Sequence, residues 1–268
     1  TGADFYAVVK EIRERLGVRA VPLQVPWGVE DSCVGVIDLV TMQSVKFDSQ
    51  NPVNAPELGP IPAELKPQAE QYRHELHEAV AEYDDTLMEK YIHEQTPTEE
   101  ELRAGIRAAT IKTAQMNEQA ESDKRDPIFV PVLCGASFRN IGVQPLLDAI
   151  CDYLPSPLDV PVPPAHNPAT DEAVPCKAEE QAPFAALAFK IARDQFVGKL
   201  YFIRVYSGVL RPGETVLNAT KRRKERVSKL LRMHANKQEI IEEIKAGDIA
   251  AAVGLKDITT GDTLCAED

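Results

Sequence analysis

Apolar residues recur at helical spacing from Asp4 to Leu16, at Phe5, Val8, Val9, Ile12 and Leu16. Asp4 is placed to cap the start of this helix and Gly17 to close its end. From Val21 to Phe47 the pattern changes to strand-like runs, VPLQVPWGV and CVGVIDLVTMQSVKF, with Gly28 to Asp31 as a turn between them. The proline-rich stretch Asn51 to Pro62 reads as a loop. Helical spacing resumes from Ala63 to His93, carried by Leu65, Ala69, Tyr72, Leu76, Val80, Leu87 and Tyr91. Thr98-Glu-Glu-Glu101 has the capping-box pattern and opens another helix through Leu102, Ile106 and Ile111. The polar run Asn117 to Asp126 ends it. The apolar run Ile128 to Leu133 then predicts a buried strand, and Val143, Leu146, Leu147 and Ile150 a helix behind it.

Beyond Pro157 the character changes. A proline-rich stretch without periodicity runs to about Pro183 and reads as a linker. After it, apolar residues alternate at Ala185, Leu187, Phe189 and Ile191, and again at Tyr201, Ile203 and Val205. Pro212-Gly213 and Gly261-Asp262 supply turns. Val227, Leu231 and Met233 mark one further strand and Asp248 to Val253 another. Short strands with closely spaced turns predict a small β-barrel. The predicted fold class is therefore an α/β region with an inserted α+β module, followed by an all-β barrel.

The 268 residues suit about two domains. A 44% hydrophobic, 27% charged composition excludes a disordered chain, and no apolar run is long enough to span a bilayer. The first residue is not Met and no leader-like segment opens the chain, so a piece of something longer is expected. Five scattered cysteines, none spaced Cys-x-x-Cys, point to reduced thiols and a cytoplasmic location.

The net charge of −12 is unevenly spread. Ala63 to Asp126 holds sixteen acidic and eight basic residues, whereas Thr220 to Lys237 holds eight basic residues and one acidic. Two surfaces with different partners are the expectation.

Candidate chemistry is sparse. The cations Lys221, Arg222, Arg223 and Lys224 can neutralise phosphates, or simply solvate a strand face; no interleaved aromatic residues support stacking on bases. His74 and His77 stand at i and i+3 near Glu70 and Glu78. Without a third ligand or a His-Glu-x-x-His motif, solvent-facing histidines are the plainer reading. No nucleophile motif is present, and no catalytic residue is assigned. Gly135-Ala136-Ser137 closes the Ile128 strand with small residues, where backbone N–H groups can approach a base or phosphate. On the three residues alone a plain βα turn is the plainer reading, since small-residue turns of this kind are commonplace.

Three longer stretches add to this: LCGASFRNIGVQPLLDAICDYLPSP, FKIARDQFVGKLYFIRVYSGVL and MHANKQEIIEEIKAGDIAAAVGLKDITTGDTLC. They resemble elongation factor G, the translational GTPase of ribosomal translocation. The resemblance implies that residues 1–157 are the C-terminal part of a G domain carrying an inserted subdomain at about 18–127. It implies a linker at 158–182 and the second-domain barrel at 183–268. It implies GTP and Mg as the ligands of the whole protein, with Gly135, Ala136 and Ser137 as the last guanine-contacting motif. The family's Asn-Lys-x-Asp motif falls immediately before Thr1. This sequence contains neither that motif nor Gly-x-x-x-x-Gly-Lys-Ser/Thr, so the chain itself is expected neither to bind nor to hydrolyse GTP.

Two positions depart from the family pattern. Ala136-Ser137 reverses the usual Ser-Ala order, and Gln195 stands where Pro is common. The implied partners are ribosomal: small-subunit rRNA for the barrel, with Lys221 to Lys224 as contact candidates, and the stalk protein for the acidic insert. Neither a membrane nor DNA is implied. An autonomous ribosome-binding module, or a related translational GTPase such as a ribosomal protection or release factor, is the alternative.

Overall fold

A computed structural model describes residues 2–51, 53–119, 127–160, 165–167, 170, 172–174, 176–195, 197–235 and 237–267, with only the backbone described at 117–119. Two compact units divide the chain, Thr1–Pro155 and Ser156–Asp268.

The first unit opens with α1 (Phe5–Leu16). The Asp4 carboxylate accepts from the N–H groups of Tyr6 and Ala7 at 3.0 and 3.1 Å, and Gly17 closes the helix at φ +63°. Strand β1 (Arg19–Pro22) follows. Its parallel partner β6 (Phe129–Val132) comes more than a hundred residues later, in the register Arg19 to Phe129 through Pro22 to Val132. Between them lies the insert. Strands β2 (Gln24–Trp27), β3 (Gly35–Asp38), β4 (Gln43–Lys46) and β5 (Glu57–Gly59) form an antiparallel meander. Helices α2 (Lys66–Ala81), α3 (Asp85–Ile92) and α4 (Glu99–Gln119) then cover it.

Strand β5 corrects the sequence expectation of a loop over Asn51 to Pro62. Leu58 pairs with Val45, and the Ser44 hydroxyl donates to the Pro60 carbonyl at 3.0 Å. The helical spacing from Ala63 to His93 likewise divides into two helices. Asp84, in extended conformation at φ −145°, accepts from the Leu87 N–H at 3.0 Å and starts α3 afresh. An aspartate's gain from capping exceeds what it contributes inside a helix. The Thr98 capping box forms as expected: Thr98 N–H donates to Glu101 at 2.8 Å, and Glu101 N–H to the Thr98 hydroxyl at 3.2 Å. Helix α4 extends to Gln119, into the polar run expected to end it, and the rest of that run lies outside the described residues.

One core joins these layers. Val21, Leu23, Val25, Ile37 and Leu39 of the strands and loops meet Leu76, Val80, Leu87, Leu102 and Ile106 of the helices, with Phe129, at the start of β6, in the same core. Each such side chain contributes about 1.5–3 kcal/mol when fully buried. Polar ties fix the geometry. The Arg73 guanidinium satisfies the carbonyls of Leu39, Val40 and Pro97, and burial lowers its pKa. Thr113 on α4 accepts from the Phe129 N–H at 3.1 Å while donating to Ala109 at 2.8 Å, so the helix is hydrogen-bonded to β6. Helix α5 (Val143–Tyr153) completes the unit.

The second unit is all β. Strands β7 (Ala165–His166) and β8 (Ala173–Val174) pair inside the stretch expected to be a structureless linker; much of that stretch lies outside the described residues. The remaining strands are β9 (Ala185–Asp194), β10 (Gly198–Ser207), β11 (Val209–Leu210), β12 (Thr215–Asn218), β13 (Arg223–Arg226), β14 (Lys229–His234), β15 (Lys237–Ile241), β16 (Ile244–Lys245), β17 (Ile249–Val253) and β18 (Thr263–Cys265). Eight run antiparallel in the order β13-β12-β18-β9-β10-β17-β14-β15, and β11 pairs with β16. Val216 of β12 and Leu230 of β14 are far apart in that order yet share one core with Ile203, Val205, Ala252 and Leu264, so the sheet curls on itself. Turn chemistry helps it do so. Glu214 N–H donates to the Arg211 carbonyl at 3.3 Å, with Pro212 and Gly213 (φ +91°) in the central places of a type II turn.

Backbone contact at Gly35 supports a test of the insert. A Cβ there would lie 2.1 Å from the Val45 carbonyl oxygen, a rigid part of the paired strand. Gly35→Ala is expected to destabilise the first unit by roughly 2–4 kcal/mol in urea titrations followed by Trp27 fluorescence. An unchanged midpoint would show that β3 and β4 are not this close.

Candidate functional site

Strand β6 ends at Val132, and the chain passes through Leu133-Cys134-Gly135 into a closed loop before α5. Ala136 and Ile141 bridge its neck: Ala136 N–H donates to Ile141 at 2.9 Å and Ile141 N–H to Ala136 at 3.2 Å. Inside the loop Arg139 N–H donates to Ala136 and Asn140 N–H to Ser137, giving a single turn of 3-10 helix at Ser137–Arg139. The neck is as narrow as a backbone allows. A Cβ on Gly135 would meet the Ile141 carbonyl at 2.6 Å, and one on Gly142, at φ +78°, would meet the Cys134 carbonyl at 2.7 Å. Only glycine fits at either place.

The two N–H groups beside this neck therefore differ. That of Ala136 is spent on Ile141; that of Ser137 has no acceptor among the described residues and lies at an exposed position. The reversed Ala-Ser order leaves this donor in place, since it belongs to the backbone.

Gly135 and Ala136 form one wall of a cavity of 630 Å³. Ala3 to Tyr6, at the entry to α1, and Val29 and Glu30 line the same cavity. Arg139 reaches across to the Glu30 carbonyl at 3.1 Å and ties the loop to it. Burial, with Cys33 nearby, pushes the Cys134 thiol up to about 12, and burial with neighbouring Tyr72 does the same for Tyr6. Both stay protonated at neutral pH, so neither of these two groups is a ready nucleophile.

The basic cluster sits on the second unit. Lys221 and Arg222 lie in the turn between β12 and β13, with Arg222 in the left-handed region at φ +55°. Arg223 and Lys224 begin β13 and are exposed. Three of the four cations are paired within the fold. The Lys221 ammonium lies 3.1 Å from Asp257 and 3.2 Å from Asp262; Arg223 lies 3.0 Å from Asp257; Lys224 contacts Glu267. Arg222 has no ion-pair partner among the described residues. The pairs of Arg223 and Lys224 are largely exposed and readily exchanged for a phosphate, whereas Lys221 is part of the structure. Sequence reasoning missed Asp257 and Asp262 as the counter-charges, because nothing in Thr260-Gly-Asp-Thr263 shows that the Asp262 side chain points inward.

Asp262 is the hub of this corner. Its carboxylate accepts from the Thr259 N–H at 2.9 Å, the Thr259 hydroxyl at 2.9 Å and the Asn218 amide at 2.8 Å. Burial alone raises its pKa, but these donors together with Lys221 outweigh burial and hold it at about 2.

Of the two histidines expected to face solvent, His74 does and His77 does not. His77 is buried, with Nε2 3.2 Å from the Leu87 carbonyl and its ring edge-on to Tyr91; burial lowers its pKa. His74 is exposed, 3.5 Å from the Tyr91 hydroxyl. Among the described residues no group of three or more His, Cys, Asp or Glu is arranged to hold a metal ion.

Comparison with known proteins bears chiefly on the fold of the second unit. Residues 198–265 match the family profile of elongation factor Tu domain 2. Over its whole length the chain superposes on a crystal structure from Thermus thermophilus with a TM-score of 0.72 and 25% sequence identity, and it spans 34% of that protein. The second unit is thus a barrel of the translation-factor second-domain type. No helix among the described residues is long and apolar enough to cross a membrane.

The Asp262 hub makes the barrel acid-sensitive in a definite range. A carboxyl held below its ordinary pKa adds stability above about pH 4, and this is lost as the pH falls towards 2. Asp262→Asn is expected to weaken the barrel at pH 7 and flatten its stability between pH 4 and 2, read by hydrogen exchange in peptides from β9 to β18. An acid profile identical to wild type would remove Asp262 from the account.

Proposed function

We propose that this chain is the portion of an elongation factor G-type translational GTPase that joins the guanine end of the G domain to the second-domain barrel. Gly135, Ala136 and Ser137 form one wall of the guanine pocket, with the Ser137 N–H as the donor to the base. The observation that carries this reading is the convergence of Ala3–Tyr6 and Gly135–Ala136 on one cavity. By the resemblance, Thr1 follows directly on the Asn-Lys-x-Asp motif. The beginning of the chain and the Gly135 loop then hold the two guanine-side motifs against each other.

The open surfaces of the first unit support the same reading. Among the described residues, β1 and β6 form a parallel sheet of only two strands. Parallel sheets are ordinarily larger and covered on both faces. Leu146, Leu147 and Ile150 on α5, and Val8 and Leu16 on α1, are exposed apolar residues. They fit a sheet that continues in further strands, as a G domain requires.

GTP and Mg belong to the whole protein. The fit to GTP is partial here: the loop offers a backbone donor beside a neck too narrow for any Cβ, but this sequence has no phosphate-binding loop and no switch region. The chain's own contribution is to orient and exclude, through a rigid loop neck beside the cavity. Ribosomal partners follow from the same assignment: rRNA at the barrel, where Arg222, Arg223 and Lys224 are the accessible cations and Lys221 supports them, and the stalk protein at the acidic insert.

A second reading, an autonomous ribosome-binding module, is favoured by the opposed charges of the two segments. It predicts salt-sensitive co-sedimentation of the chain with ribosomes, weakening steeply between 50 and 200 mM salt on the order of the counter-ion effect. Absence from the pellet at every salt concentration would dismiss it. For the leading reading, titration calorimetry of the chain with GDP is expected to give no micromolar isotherm, because the phosphate-binding parts are not in this sequence. Clear micromolar binding would overturn the assignment of Gly135 to Ser137 as one wall of a divided site.

A further inference from the structure

A second cavity, of 460 Å³, lies in the first unit between the β2–β5 sheet, the start of α4 and helix α5. Its charged lining is mainly acidic. Asp38, Glu99, Asp148 and Asp152 face it, opposed by one cation, Arg103. That cation is already committed, with guanidinium nitrogens 2.6 Å from Asp152 and 2.9 Å from Glu99. One Asp38 oxygen is used by the N–H groups of Val40 and Thr41 at 2.8 and 2.9 Å. Asp148 has no partner among the described residues.

The independent observation is Gln24. It stands opposite Asp38 on the neighbouring strand and lines the same cavity; it is 2% exposed, and its Oε1 has no hydrogen-bond partner. A buried amide oxygen without a donor is costly, and folds retain few of them. Here the missing donor has room to enter from the cavity. Leu23, Val45, Leu58 and Leu133 supply an apolar surface beside these acceptors.

Acceptors at several points, a net negative lining and an aliphatic wall define the complement. We propose that this cavity binds a small organic cation, with amine donors carried on an aliphatic spine. Its ammonium groups pair with Asp148 and Asp38, and an N–H satisfies Gln24. Anions are repelled by the carboxylates. A bare metal ion is a poor occupant, since it leaves the aliphatic wall unused and finds no ligand group of the required kind among the described residues. The proposal does not depend on the nucleotide reading.

Spermidine is the probe, with magnesium chloride at matched ionic strength as the control for charge alone. Titration calorimetry is expected to show one saturable spermidine site and no comparable magnesium response. Asp148→Asn, at an exposed position, is expected to weaken spermidine about fivefold. Gln24→Leu is expected to weaken it about tenfold or more while raising the melting temperature of the ligand-free chain, because it removes a buried unpaired acceptor. The two opposite effects of Gln24→Leu separate a binding role from a merely structural one. Absence of saturable binding, an equal response to magnesium, or wild-type affinity in both variants would overturn the proposal.

Discussion

Parallel pairing of Arg19–Pro22 with Phe129–Val132 is the constraint on which the first unit depends. Two four-residue strands make few hydrogen bonds, and closing the loop between them carries an entropic cost that grows slowly with its length. The insert repays that cost by folding on itself. Its helices and meander bury Leu76, Val80, Leu102 and Ile106 against the same core that holds Val21 and Phe129. Specific bonds then fix the pair in place: Arg13 to the Ala20 carbonyl at 2.8 Å on one side, and Thr113 to the Phe129 N–H at 3.1 Å on the other. Once β6 is held, the direction of the chain beyond Val132 is set. The Gly135 and Gly142 neck converts that direction into a loop with one amide spent and the next one available.

The charged surfaces follow a different logic. The acidic insert uses its carboxylates locally: Glu101 caps α4 and is held at about 2 by Lys90 and then Thr98, while Glu82 pairs with Arg19 at 2.8 Å. On the barrel the cations are tempered by Asp257, Asp262 and Glu267. A run of eight basic residues in sequence thus presents fewer free charges in space. A polyanion meeting this corner would have to exchange exposed pairs rather than meet a bare cationic patch.

Local signals in the sequence were readily legible. Asp4 and Gly17 bound α1, Thr98 and Glu101 form their box, and Pro212-Gly213 turns where Pro then Gly must. These features depend on a few neighbouring residues, so a short window contains their cause. The missed features depend on distant partners. Strand β5 exists because Leu58 finds Val45, the hidden His77 because Leu87 comes back over it, and the paired Lys221 because Asp257 and Asp262 arrive from later in the chain. Gly135-Ala136-Ser137 lies between these cases. Its small residues were visible, but the difference between its amides arises from Ile141, whose carbonyl no local pattern assigns.

That difference is the centre of the account, and amide exchange measures it directly. Residue-resolved hydrogen exchange by NMR on the labelled chain, without nucleotide, is predicted to show Ala136 protected by its bond to Ile141 and Ser137 exchanging at close to the rate of an open amide. Protection of Ser137 as strong as that of Ala136 would mean that the Ser137 donor is spent inside the loop, and would contradict its proposed role as a donor to the base.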